Sequence, residues 1–304
     1  MSTANAENAP ETIGDWVRAA AERMDEAGLF FGHGTGNAID EASWMVAHEL
    51  DLSPDFDDEM FGAGLGPGER EALDDLLERR IDSRKPLAYL IGEAWFAGLR
   101  FRVDERALVP RSPLAELVVS GLRPWLELDR PLVAIDVGTG CGCIGAAMAW
   151  HWPSLRVDAV DVSGEALDLA RENVRRLGVA DRVRVLESDL FEAVGDARYD
   201  LVVSNPPYVP AASMEELPDE YRHEPRGALE AGDDGLDIVR RLLREAPEHL
   251  TSGGFVLCEV GEARPAAEAL LADTGAIWLE FEHGGDGVFL IDRPGCLALR
   301  EASP

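Results

Sequence analysis

Leu132-Val133-Ala134-Ile135-Asp136-Val137-Gly138-Thr139-Gly140-Cys141-Gly142 decides the fold of this 304-residue chain. An apolar run of strand length ends there in a glycine-rich turn. The residues beyond it read as a helix over 144–150, a second strand over 156–162 and a helix capped by Ser163. That alternation is the signature of βαβ units and so of a parallel sheet. Outward from this core, further strands are expected at 183–186, 201–204, 255–260, 277–281 and 288–291, with helices over 236–250 and 263–272. The last two strands follow one another through Glu282-His283-Gly284-Gly285-Asp286-Gly287, a hairpin-like turn. The expectation is seven strands, six parallel and the last antiparallel.

Glycines in the first turn let the backbone approach a ligand closely. Alone, the turn suits a nicotinamide or flavin site as well as any other. Asp136, two positions before the first glycine, argues against a dinucleotide, because a fixed carboxylate is unwelcome beside a pyrophosphate. It suits a cationic ligand that carries an amino group, such as S-adenosylmethionine. Asp161, at the end of the second strand, is placed to bind ribose hydroxyls. The third strand delivers Ser188-Asp189-Leu190-Phe191, a carboxylate and apolar groups where an adenine would lie. The expected cofactor set is Asp136, Gly138, Thr139, Gly140, Cys141, Gly142, Asp161, Val162, Asp189, Leu190 and Asn205, gathered at the carboxyl ends of successive strands, where open α/β sheets bind ligands.

The fourth strand ends in Asn205-Pro206-Pro207-Tyr208, which specifies a chemistry. A nitrogen conjugated to a π system is a poor nucleophile, and two neighbouring acceptors, the Asn205 side-chain oxygen and the Pro206 carbonyl, can hold both of its N–H groups. Two prolines in succession make a stiff turn. Tyr208 offers a flat face for a planar group. Asn205, Pro206 and Tyr208 are therefore the candidate catalytic residues, and transfer needs orientation rather than a metal or a general base.

Composition sets the boundaries. The hydrophobic content of 46% supplies an ample core. No apolar stretch reaches the roughly 18 residues that span a bilayer, and the first 16 residues are polar and acidic, so no membrane role and a cytoplasmic location are expected. The formal charge is -30, and Lys85 is the only lysine. With no basic stripe beyond pairs such as Arg175-Arg176 and Arg240-Arg241, nucleic-acid binding is disfavoured. The surplus acid reads either as adaptation to a salty cytoplasm or as attraction for a basic protein partner. Four cysteines form neither a disulfide framework nor a structural zinc pattern.

The first 85 residues carry helical periodicity in Ile13, Trp16, Val17, Ala20 and Met24, in Trp44, Ala47 and His48, and in Leu73, Leu76, Leu77 and Ile81. Gly32-His33-Gly34-Thr35-Gly36 and Ser53-Pro54-Asp55 punctuate them. His33, His48 and Asp51 are too few for a zinc site and are read as structural. Residues 86–110, with apolar runs at Tyr89-Leu90-Ile91 and Leu99-Arg100-Phe101-Arg102-Val103, read as a β-hairpin connector. Residues 111–304 form the catalytic domain.

The layout resembles the class I methyltransferases of the HemK-like family, which methylate the side-chain amide nitrogen of glutamine in proteins. The motifs that carry the resemblance are Pro86-Leu87-Ala88-Tyr89-Leu90, Phe101-Arg102-Val103-Asp104, Val109-Pro110-Arg111, the 136–142 turn, Asn205-Pro206-Pro207-Tyr208 and Glu220-Tyr221-Arg222-His223-Glu224-Pro225. Members that act on release factors usually continue after the Pro-Arg pair with Pro, an acid, Thr and Glu. Here the wording is Arg111-Ser112-Pro113-Leu114-Ala115-Glu116-Leu117. It is similar to the PrmB-type branch, which acts on the third protein of the large ribosomal subunit, as are Phe31-Gly32-His33-Gly34-Thr35 and Ala94-Trp95-Phe96. The resemblance implies a Rossmann-like α/β fold with a small N-terminal helical domain, S-adenosylmethionine as cofactor, and Asn205 to Tyr208 on the glutamine amide.

Residues 209–231 make a long connection, read as a lid over the acceptor. Glu224 and Arg222 either hold the substrate backbone or brace the loop on Arg111, so Arg111, Glu224 and Pro207 join the substrate-binding candidates. The helical domain is expected to choose the protein partner. Two other readings stay open: a nucleic-acid amino-group methyltransferase, and a non-catalytic S-adenosylmethionine-binding assembly factor.

Overall fold

The computed structural model describes residues 12–302 except 54, 55, 57, 129 and 283. The chain forms two compact units, one from the described part of Met1–Gly92 with Pro218–His223, the other from Glu93–Leu217 with the described part of Glu224–Pro304.

In the first unit, α1 (Ile13–Glu26), α2 (Ala38–Glu49), α3 (Asp58–Phe61), α4 (Pro67–Ser83) and α5 (Leu87–Ile91) enclose a core of Trp16, Met24, Met45, Leu73 and Leu77. Thr12 and Asp15 form a reciprocal capping box that satisfies the first amides of α1. Pro54 and Asp55, expected to close the second helix, lie outside the described residues. Residues 218–223, far along the chain, belong to this unit through a buried charge cluster. Arg80 donates from Nε to Glu41 at 2.6 Å and from Nη2 to the Phe30 carbonyl at 3.1 Å. Glu220 accepts from the Phe30 amide at 3.0 Å and pairs with Arg84 at 3.0 Å. Arg80, Glu41 and Glu220 are all buried, a placement that charged groups tolerate only when paired.

The Tyr89-Leu90-Ile91 run expected as a strand is instead the helix α5. Pro86 opens it and Gly92, at φ 75°, ends it in the left-handed conformation, while Leu87 packs into the helical core. The hairpin that follows uses β1 (Glu93–Phe96) and β2 (Leu99–Arg102), paired antiparallel.

The second unit continues with α6 (Leu114–Ser120), β3 (Leu132–Val137), α7 (Cys143–His151), β4 (Leu155–Asp161), α8 (Gly164–Arg176), β5 (Val183–Glu187), β6 (Tyr199–Ser204), α9 (Asp237–His249), β7 (Leu250–Glu259), α10 (Arg264–Leu271), β8 (Ile277–Trp278), β9 (Val288–Asp292) and α11 (Arg293–Ala302). The sheet order is β5-β4-β3-β6-β7-β9-β8. Only β9 runs against the rest, pairing antiparallel with both β7 and β8. The near-continuous apolar runs of β3, β6 and the 255–258 half of β7 follow from burial on both faces of the sheet. The order reverses between β3 and β6, the strand pair at which the Asp136 and Asn205 segments leave the sheet side by side, with Val137 opposite Ser204.

Candidate active site

At the carboxyl ends of β3, β4, β5 and β6 the structure brings together one cavity of about 370 Å³. Of the residues expected from the sequence, Gly138, Thr139, Gly140, Cys141, Asp161, Val162, Asp189, Leu190, Asn205, Pro206, Pro207 and Arg111 line it. That size and its mostly apolar wall with few polar groups are typical of a small-molecule site.

The glycine turn is built by backbone geometry. Gly138 and Gly140 have φ of 72° and 55°, and the amides of Gly138 and Thr139 both donate to the Val160 carbonyl at 2.9 Å. A side chain added at Gly138 would meet nothing within 4 Å, so this stretch of backbone is open to a ligand. Asp161 closes the turn from β4. Its Oδ2 accepts from the Gly140 amide and its Oδ1 from the Ser163 amide, each at 2.9 Å. These two bonds aim a carboxylate at the cavity.

Asp136 and Gly142 lie outside the lining. Asp136 is fully buried beneath the turn, where its Oδ2 accepts from the Thr139 hydroxyl at 2.6 Å and the Gly145 amide at 2.9 Å. The carboxylate expected to face a cationic ligand therefore braces the loop from behind. Burial pushes its pKa up to about 6 against those two hydrogen bonds. Gly142, at φ 82°, serves packing, since a Cβ there would sit 3.1 Å from Ala170 of α8.

Asn205 lines the same cavity. Its Oδ1 is buried and accepts no hydrogen bond. Buried acceptors left without a donor are uncommon and costly, and one lining a cavity marks where a donor from a ligand belongs. Tyr208 is not part of the lining. Its ring lies on Gly261, where a Cβ would fall 2.7 Å from the ring, and its hydroxyl reaches Glu259 at 3.4 Å.

The connection after Tyr208 is pinned at its base, with Val209 donating to the Leu229 carbonyl at 2.7 Å and Ala231 to the Val209 carbonyl at 2.9 Å. Glu224 within it is committed to Arg111, through Nη1–Oε1 at 2.6 Å and Nη2–Oε2 at 2.8 Å, and also accepts from the Val109 amide at 3.1 Å. Of the two roles weighed for Glu224, its geometry is that of a loop brace. Arg222 sits three-quarters exposed in the helical unit and pairs with Asp219 at 3.1 Å.

The sequence reading did not include Glu259, buried at the end of β7, whose Oε2 accepts from the Ser112 hydroxyl at 2.5 Å. The strand-end rule that selected Asp161 and Asn205 would have selected it too. The cavity wall formed by Arg106 to Val109, and by Pro225, Gly227 and Ala228, carried no chemical signal of its own.

Residues 122–218 match the model of the methyltransferase small domain. A ribosomal protein uL3 glutamine methyltransferase from Xanthomonas campestris is 48% identical over 95% of this chain and 94% of its own length. Proteins of the same description from Bordetella pertussis and Francisella tularensis are 45% and 39% identical over 93% and 96% of this chain, and over 95% and 93% of their own lengths. Among solved structures, the hMettl16 catalytic domain in complex with the MAT2A 3′UTR hairpin 1 has a TM-score of 0.51 at 17% identity, covering 81% of this chain and 88% of that one. At that identity the likeness concerns the fold, which is that of the S-adenosylmethionine-dependent methyltransferases of class I.

Proposed function

This chain belongs to the ribosomal protein uL3 glutamine methyltransferase family, and from that we propose that it transfers a methyl group from S-adenosylmethionine to the side-chain amide nitrogen of a glutamine in ribosomal protein uL3. The observation that carries the chemistry is the buried, partnerless Oδ1 of Asn205 in the cavity that also holds the glycine turn and Asp161.

The residues present fit S-adenosylmethionine. The open backbone at Gly138 would accept its amino-acid end, the Asp161 carboxylate its ribose hydroxyls, and Val162 and Leu190 its adenine. When bound, the cofactor supplies an electrophilic methyl on a sulfonium. Asn205 Oδ1 accepts one amide N–H of the glutamine and the Pro206 carbonyl the other, which orients the nitrogen for in-line attack. With the N–CH₃ bond forming as the S–CH₃ bond breaks and its electron pair stays on sulfur as a neutral thioether, the nitrogen would gain positive charge, and these acceptors would hold its protons more tightly in the transition state than in the ground state. The surplus proton leaves to solvent.

The helical unit is the part that chooses the protein partner. A net charge of -30 suits a basic ribosomal protein and disfavours RNA as acceptor. The cytoplasm, where ribosomal proteins are made, is the matching compartment. Incubation of the purified protein with labelled S-adenosylmethionine and separate samples of uL3, release factors and ribosomal RNA tests the reading. Label on one glutamine of uL3 is expected, and label in RNA alone or on release factors alone overturns it.

A further inference from the structure

We propose that Glu259 is a positioning residue of the acceptor clamp, one carboxylate that holds Tyr208 and Ser112 together and thereby sets where Asn205 presents its oxygen. This rests on the reading of Asn205 to Tyr208 as the acceptor site. Glu259 ends β7, and in the β6–β7 register its neighbour Cys258 lies opposite Ser204, the residue before Asn205. The clamp leaves β6 at Asn205, turns through two prolines, and returns through the Tyr208 hydroxyl to the end of the adjacent strand, 3.4 Å from Glu259 Oε1. The loop is thus closed on itself by a side-chain tie.

Close contacts hold Tyr208 in place. Its ring rests on Gly261, and a Cβ at Gly235 would come within 2.2 Å of its carbonyl oxygen, so both neighbours approach as only glycine can. Its hydroxyl ties it to Glu259. The other oxygen of Glu259 accepts from Ser112 at 2.5 Å, and the adjacent Arg111 clasps Glu224 of the long connection. One buried carboxylate therefore joins the clamp, the 109–112 wall and β7. Burial raises its proton affinity, and the two hydroxyls and the nearby Arg111 charge oppose that rise. The arrangement is costly to build for an acid without a task, since an apolar residue would fill the same space without desolvating a carboxylate.

The test compares wild type, Tyr208→Phe, Glu259→Gln and the double variant, by cofactor affinity, Tm and separate kcat and KM for uL3. Tyr208→Phe removes one hydroxyl from a half-buried ring and keeps the fold measurable even if Glu259 variants are unstable. Cofactor affinity within about threefold of wild type is expected, with kcat lowered about 10- to 100-fold in each single variant, the loss that misplacement of a reacting group brings. The double variant should be no slower than the worse single one, because both changes cut the same tie. Multiplying losses in the double variant, or full kcat in Tyr208→Phe, would overturn the proposal. If wild type itself binds cofactor yet leaves uL3 unlabelled, the acceptor reading fails instead, and the two failures are told apart.

Discussion

Arg111 and Glu224, 113 positions apart in the chain, form a two-point ion pair in which the Glu224 side chain is wholly buried and the Arg111 side chain is 18% exposed. The parallel N–H···O bonds match the planar fork of arginine to the carboxylate, which a lysine cannot reproduce. Arg111→Met leaves Glu224 buried without its cation, and the expected loss is roughly 3–5 kcal/mol of unfolding free energy. Arg111→Lys should recover only part of it. Urea unfolding of the two variants beside wild type measures both, and equal stability of Arg111→Met and wild type would show that the pair does not hold the connection.

Asn205→Ala removes an acceptor from the cavity wall and leaves the glycine turn and Asp161 untouched. Transfer should slow about 100- to 1,000-fold, the effect of losing one preorganised polar group. Cofactor affinity should stay within a few fold. Single-turnover transfer and calorimetric titration with S-adenosylmethionine give the two numbers, and unchanged turnover would remove Asn205 from the chemistry.

Asp136 supplies a pH dependence with a definite sign. Its pKa stands at about 6 in the folded chain against an ordinary value of 3.8, so the folded state binds the proton more tightly. The stability this contributes is complete below about pH 4 and is lost as pH rises through about 6. At about 1.4 kcal/mol per pH unit, wild type should lose roughly 3 kcal/mol relative to Asp136→Asn across that window. Denaturant midpoints of both proteins between about pH 3.5 and pH 7 check this, with wild type expected to fall relative to Asp136→Asn as pH rises. Parallel curves would show that Asp136 titrates normally.

In the helical unit, Arg80 is 1% exposed and bound to Glu41, whereas Arg84, which caps the end of α4 and pairs with Glu220, is 30% exposed in its side chain. Arg80→Met should therefore cost roughly 3–5 kcal/mol, because it strands Glu41 and weakens the setting of Glu220. Arg84→Met should cost distinctly less, since water can screen the pair it breaks. A comparison of thermal midpoints orders the two, and the reverse order would contradict the buried-network account.

Much of this was open to a reader of the chain alone. The strands β3 to β7 and β9 and the helices α7 to α10 declare themselves because each is a local pattern bounded by glycine, proline or a capping residue, whereas the strand expected over 277–281 shrinks to Ile277–Trp278. Tyr89-Leu90-Ile91 misled because three apolar residues fit a strand and a helical turn equally, and burial of Leu87 in the helical core decided between them. The helices α6 and α11 begin at Leu114 and Arg293 in stretches where proline obscures the start. Asp136 was placed in the right turn, yet on its hidden side, since the direction of a side chain at a strand end depends on what packs behind it.

The sequence by itself determined the alternation of strands and helices from β3 to β9 and the positions of the glycine turn, Asp161 and the Asn205-Pro206-Pro207-Tyr208 segment at strand ends. Each is written in consecutive residues, and backbone preference and hydrophobic period act over that range. Only the tertiary structure decided that Glu224 belongs to Arg111, that Ser112 and Tyr208 share Glu259 across 147 and 51 positions, and that Glu220 is built into the helical unit. Those partners are set by which elements pack together, and a charged or hydroxyl side chain carries no local mark of the distant group that will satisfy it.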